Sequence, residues 1–198
     1  MNWSIVREKV KKFPLVTIII LLLNIVVGII TLSKGLDDML YRYGGMYEGA
    51  FGKGEWLRAV FYAFIHMNWA HFSANMFCLV GFGYMLERNI GWWRFLLIYA
   101  GGIAGAAVAI NFWGGYGFHA GASGAIWALM FAAVVYNIRY RENIKGAFLC
   151  VLINLSYSFT DSNVSIQGHL GGAIIGTVLA VFLCKRIEDF AYNDDSYN

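Results

Sequence analysis

A few polar side chains in an otherwise apolar chain are of types that could break an acyl bond. Ser123 sits in Gly121-Ala122-Ser123-Gly124, His169 sits in Gly168-His169-Leu170-Gly171-Gly172, and His66, His71 and Asn75 follow one another closely. A serine hydroxyl beside an imidazole is a nucleophile with its general base, because the ring removes the proton as the oxygen attacks a carbonyl. Asn75 and His71 are candidate donors to the negative charge that then develops on the carbonyl oxygen.

Each piece alone has a plainer explanation. Small residues recur wherever membrane helices touch, so Gly-x-Ser-Gly by itself says little. A histidine in an apolar span is often a hydrogen-bonded packing residue, and His66 is assigned that structural role, orienting the loop before it. His119 lies in a Gly-rich joint and reads as solvated. His66, His71, His119 and His169 gather toward one side, yet no His-Glu-x-x-His motif and no intramembrane carboxylate accompany them, so neither a metal nor a cofactor is expected. Glu87 falls at the opposite end of its span, the wrong side for this chemistry, and Asn24 reads as an interhelical hydrogen bond.

What positions these residues follows from composition. Of 198 residues, 59% are hydrophobic and only 14% charged, with a mean hydropathy of +0.57, whereas a soluble domain carries about 25% charged residues. Six apolar runs, at 15–32, 66–86, 92–112, 121–138, 146–160 and 165–183, are long enough to cross a bilayer or to be buried among helices that do. The expected fold is therefore all-α, a polytopic membrane protein with six transmembrane helices over 15–183, flanked by a basic segment, 1–14, and a polar tail, 184–198. The first run is too long for a secretory signal and is followed by no small-x-small cleavage site before Lys34. Cys78, Cys150 and Cys184 lie in apolar runs without Cys-x-x-Cys spacing and read as reduced packing residues.

Basic residues near span ends stay on the cytoplasmic side. With the N-terminus inside, 11 of the 15 Lys and Arg residues fall on inner segments, and the other four lie in the long first loop. Both termini are thus expected in the cytoplasm, and the net charge of +3 reflects this bias without pointing to nucleic acid. Spans two, four and six then all run from outside to inside, so Asn75, His71, Ser123 and His169 share one depth near the outer surface. His169, Gly172 and Gly176 fall on one helix face, where small residues let helices approach closely. Trp127 follows Ser123 by one helical turn and is positioned to pack beside the His169 ring.

Taken together, these residues resemble the rhomboid family of intramembrane serine proteases. The resemblance runs through Trp56 and Arg58, His66, His71 and Asn75, then Glu87, Gly91, Arg94 and Tyr99, then Gly121 to Ala125, and finally His169, Gly172 and Gly176. It implies a six-helix fold with a water-accessible cavity, in which a Ser-His dyad cleaves transmembrane protein substrates in the lipid bilayer with no third acid. By position, Ser123 matches the nucleophile and His169 the base. Asn75 and His71 match the oxyanion-stabilising side chains, assisted by the Ser123 N–H, and Gly121 matches the glycine that opens the loop before the nucleophile. The first loop resembles the family's membrane-embedded outer loop, anchored by Trp56 and Arg58. The resemblance further implies substrates with small residues near the cut and helix-destabilising residues beyond it. Two positions depart from the pattern: Trp127 replaces a common Tyr, and Phe61 replaces a small hydroxyl residue.

A bacterial plasma membrane is the expected location. A non-catalytic rhomboid-like client binder and a small transporter are the alternatives; the intact dyad speaks against the first, and polar residues gathered at one depth with no internal repeat speak against the second. If basic residues set the orientation, a cysteine introduced at Gly115 reacts with an impermeant thiol reagent added outside intact cells, and one at Asn143 does not. The opposite sidedness would place the polar cluster at the cytoplasmic face.

Overall fold

The computed structural model describes residues 13–32, 37–160 and 165–185. Eight α-helices follow one another among them: α1 (Leu15–Leu32), α2 (Asp37–Gly44), α3 (Arg58–Phe61), α4 (Trp69–Ile90), α5 (Trp92–Trp113), α6 (Ser123–Tyr140), α7 (Ile144–Thr160) and α8 (Ile166–Leu183). The one β-type pairing among the described residues is an isolated bridge between Met46 and His119. The fold is all-α, and α1, α5 and α8 are long and apolar enough to cross a membrane. Leu22, Leu23, Val26, Ile29 and Ile30 of α1 are all exposed, which suits a helix whose outer face meets hydrocarbon.

α6 packs against α4, α5, α7 and α8 and is buried on every side. A helix enclosed in this way contacts protein around its circumference and can be short and rich in alanine. Its tightest neighbour is α8. A β-carbon added at Gly172 would lie 2.8 Å from the carbonyl carbon of Gly124, and one at Gly176 would lie 2.5 Å from the Ala128 oxygen. On the adjacent face of α8, a β-carbon at Gly171 would come within 2.6 Å of the Ala109 Cβ of α5. Backbone therefore meets backbone, the small-residue packing that association in lipid relies on.

Two charged residues fasten the peripheral segments. Glu87, at the far end of α4 from the polar cluster, is buried and caps the start of α1, accepting from the Val16 N–H at 2.9 Å and from the Thr17 N–H and hydroxyl at 2.7 Å each. A carboxylate here satisfies donors that the first helical turn leaves open. Arg58 holds the first loop: its Nη1 donates to the carbonyls of Arg42 and Gly45 at 2.8 Å each, its Nε pairs with Glu55, and its guanidinium lies against the rings of Tyr47 and Phe118. The hydrogen bond from Arg58 holds the Glu55 carboxyl below the usual carboxylate range. Trp56 stacks on Phe51 with ring centroids 4.4 Å apart.

Two element boundaries differ from the sequence-based ones where local chemistry stops the helix. The second long helix starts at Trp69, because Asn68 adopts an extended conformation and its side chain accepts from the His71 N–H. His66 accordingly precedes that helix instead of lying within it. The fourth starts at Ser123, because Gly121 has φ +126°, a conformation foreign to a right-handed helix. The two flanking polar segments fall mostly outside the described residues.

The α6–α8 contact generates a paired prediction. Gly172→Ala drives a methyl into backbone and lowers the thermal midpoint in detergent, at a cost of about 1–3 kcal/mol or more. Gly81→Ala, in α4 with open space around its β-carbon, leaves stability unchanged or raises it by up to about 1 kcal/mol. Equal effects of the two substitutions would contradict the close crossing.

Candidate active site

The N-terminal ends of α4, α6 and α8 meet at one cavity. Its volume is about 60 Å³, and it is lined by His71 and Asn75 from α4, Ser123 and Trp127 from α6, and His169 from α8, with Asn154 and Ser158 of α7 on a further wall. That is space for a few water molecules beside several polar side chains in an otherwise apolar lining. Ser123 is half-buried, and His169 and Asn75 are buried.

The approach to Ser123 is shaped by Gly121. Its N–H donates to the Tyr62 carbonyl at 2.8 Å, and its positive φ turns the chain just before α6 begins. A β-carbon at this position would lie 2.7 Å from His71 Cε1 and 3.4 Å from Asn75 Nδ2. A bare α-carbon is what lets those two side chains close on the backbone leading to Ser123. His71 and Asn75 are four residues apart and so present to the same side of α4.

Two features of this corner favour negative charge. Asn75 Nδ2 is buried with no hydrogen-bond partner among the described residues, a donor pair held out of water and unsatisfied. The N-terminus of α6 has no side-chain cap, whereas Asn68 caps α4 and Ser165 caps α8. The first-turn N–H groups of α6, with the positive end of its dipole, thus face the cavity undiluted.

The imidazole is held from two sides. Its ring stacks on Trp127 with centroids 4.9 Å apart and planes 22° from parallel. Its Nδ1 lies 3.0 Å from Ser158 Oγ, which leaves Nε2 as the other ring nitrogen. Trp127 reaches the ring because it follows Ser123 by four residues, one turn deeper on α6.

His66 does not line the cavity. It is fully buried behind it, edge-on to His71 with ring centroids 5.5 Å apart and to Phe72 at 5.2 Å, and so backs the His71 ring. His119 departs from the solvated role read from the sequence. It is half-buried at the cavity wall, its ring Nε2 lies 2.9 Å from the Gly114 carbonyl, and its backbone pairs with Met46. Burial holds its pKa below the ordinary imidazole value, and the bond to Gly114 works in the opposite sense. Among the described residues no group of three or more His, Cys, Asp or Glu is placed to hold a metal ion.

Ser158 and Asn154 escaped the sequence reading. The signal was present: two polar residues four apart in an apolar helix make one polar stripe, the feature that singled out the other site residues.

Residues 53–186 match the Rhomboid domain family. The chain is 34% identical over 152 residues to Rhomboid protease GluP of Bacillus subtilis, covering 74% of this chain and 30% of that protein. It is 30% identical over 158 residues to the putative rhomboid protease YdcA of the same organism, covering 74% of this chain and 76% of that protein. Rhomboid-type serine protease 2 of Emericella nidulans is 29% identical over 148 residues, covering 71% of this chain and 29% of that protein. The chain thus spans less than a third of the length of two of these relatives and about three quarters of the third.

An unsatisfied buried amide is a stability cost that an apolar residue removes, roughly 1–3 kcal/mol. Asn75→Leu is therefore expected to keep or raise the thermal midpoint. A fall of several degrees would show that the amide holds the helices together and is not a spare donor.

Proposed function

Since the chain belongs to the rhomboid family, we propose that it is a serine-type endopeptidase that hydrolyses peptide bonds in or near transmembrane segments of other membrane proteins. The observation that carries this reading is the single cavity shared by a serine, a histidine and an unpaired amide donor at the ends of three different helices.

In the proposed mechanism Ser123 Oγ attacks the substrate carbonyl carbon while His169 Nε2 takes its proton. The developing oxyanion sits where Asn75 Nδ2, His71 and the Ser123 N–H converge. His169 then gives the proton to the leaving amine, an acyl-enzyme remains on Ser123, and water reverses the sequence to release the new carboxylate. The Trp127 stack keeps the ring in plane through both transfers. Trp lacks the hydroxyl of the more common Tyr but supplies the same flat face.

Six spans, α1 and α4 to α8, cross the bilayer in this proposal, with both termini cytoplasmic and the cavity toward the outer side. The two Bacillus relatives support a bacterial plasma membrane as the location.

The dyad is tested with a purified transmembrane substrate. Ser123→Ala removes only a hydroxyl and is expected to fold normally yet cleave nothing; His169→Ala also abolishes cleavage, and the double substitution is scarcely worse than either single one because one step needs both groups. Asn75→Ala is expected to lower turnover by roughly 10²- to 10³-fold with little change in KM. Cleavage by pure Ser123→Ala protein would overturn the mechanism.

A further inference from the structure

We infer that Ser158 of α7 is a positioning residue for His169, fixing the ring in the tautomer that carries its proton on Nδ1 and leaves Nε2 free as the base. The inference rests on the reading of His169 as general base and adds a third member to that pair, supplied by a helix that holds neither.

The protons around Ser158 decide the tautomer. Ser158 Oγ has one hydrogen and, among the described residues, two near polar neighbours, the Asn154 carbonyl at 2.9 Å and His169 Nδ1 at 3.0 Å. A carbonyl oxygen only accepts. If the hydroxyl proton pointed to Nδ1, two oxygen acceptors would face each other at 2.9 Å with nothing between them. If it points to the Asn154 carbonyl, the serine oxygen is open to accept from an Nδ1–H, and both short contacts become hydrogen bonds. The site is buried, with Ser158 and His169 5% and 7% exposed, so a mismatched pair has little water to relieve it. The second arrangement wins, and it puts the lone pair on Nε2.

The bonded chain runs Nδ1–H to Oγ–H to the carbonyl of Asn154. During attack by Ser123 the ring becomes an imidazolium, and this chain takes up part of the positive charge, ending on a helix carbonyl whose dipole has the right sign. A buried carboxylate serves the same purpose in soluble serine proteases. A hydroxyl backed by a carbonyl does so without placing a charge in the membrane, where one is costly. Trp127 fixes the ring plane by stacking, and Ser158 fixes which ring nitrogen carries the proton.

Two readouts test this, one of them independent of proteolysis. In protein labelled with ¹⁵N-histidine, the ring shifts of His169 report the tautomer directly, assigned by comparison with His169→Ala. Wild type is expected to carry the proton on Nδ1, and Ser158→Ala to shift the population toward Nε2–H. In substrate cleavage, Ser158→Ala is expected to lower kcat roughly 10- to 100-fold with KM nearly unchanged, the loss that follows from an unsatisfied buried ring N–H. Thr and Val at 158 differ only by a hydroxyl against a methyl, so Ser158→Thr should retain most of the rate and Ser158→Val should lose it. Ser156→Ala, on the exposed side of α7 with a comparable bond to the Leu152 carbonyl, should match wild type. An Nε2–H tautomer in wild type, or equal rates for Thr and Val, would overturn the role given to Ser158. A wild-type protein with the Nδ1–H tautomer but no cleavage and no reaction of Ser123 with a fluorophosphonate would instead overturn the protease reading and leave the tautomer assignment standing.

Discussion

The contact between α8 and α6, where Gly172 lies on the carbonyl group of Gly124, sets the geometry on which the rest of the site depends. His169 is three residues before Gly172, and Ser123 is the residue before Gly124. The distance between Ser123 and His169, the proposed nucleophile and base, is therefore governed by how closely two backbones approach at the next turn down. With any side chain at 172 the helices would separate by the width of that side chain, and the Trp127 stack on His169 would open with them. Because lipid gives no hydrophobic push between helices, such proximity has to come from shape, and three glycines on α8, Gly171, Gly172 and Gly176, supply it against both α5 and α6.

Around that fixed crossing the molecule keeps several groups in states that cost stability. Asn75 holds a buried amide N–H group without a partner among the described residues, α6 begins without a side-chain cap, and Gly121 turns through a positive φ to clear His71 and Asn75. Each is a local liability, and all three face the same small cavity. In the proposed mechanism, charge developing on the substrate oxygen would meet these donors without rearrangement.

Much of this was legible in the sequence, for a physical reason. In an apolar chain a polar residue stands out, and the positive-inside bias converts scattered positions into shared depths; Ser123, His169, Asn75 and His71 were selected in that way. Helix ends were less legible. The run from His66 onward looks continuous in hydropathy, and only the Asn68 side chain on the His71 N–H reveals that the helix starts after it. Membrane-crossing character is plain for α1, α5 and α8, weaker for α4 and α6, which are less apolar, and weaker for α7, which is apolar but shorter. Asn154 and Ser158 stand out as a polar pair four apart, but the sequence does not say that this pair meets His169, since that depends on how α7 sits against α8. His119 was misjudged for a related reason: a Gly-rich joint reads as solvent-exposed, whereas this one folds back to pair with Met46.

In the proposed mechanism one cavity presents the nucleophile, its base and the oxyanion donors to a single reacting group. The most direct test is an experimental structure of the protein after reaction with a fluorophosphonate, whose tetrahedral phosphorus stands in for the attacked carbonyl carbon. The account predicts a covalent bond to Ser123 Oγ, with the phosphoryl oxygen within hydrogen-bond distance of Asn75 Nδ2 and of the Ser123 N–H, and His169 Nε2 facing the adduct. An adduct on another residue, or a phosphoryl oxygen directed away from Asn75 and the start of α6, would contradict it.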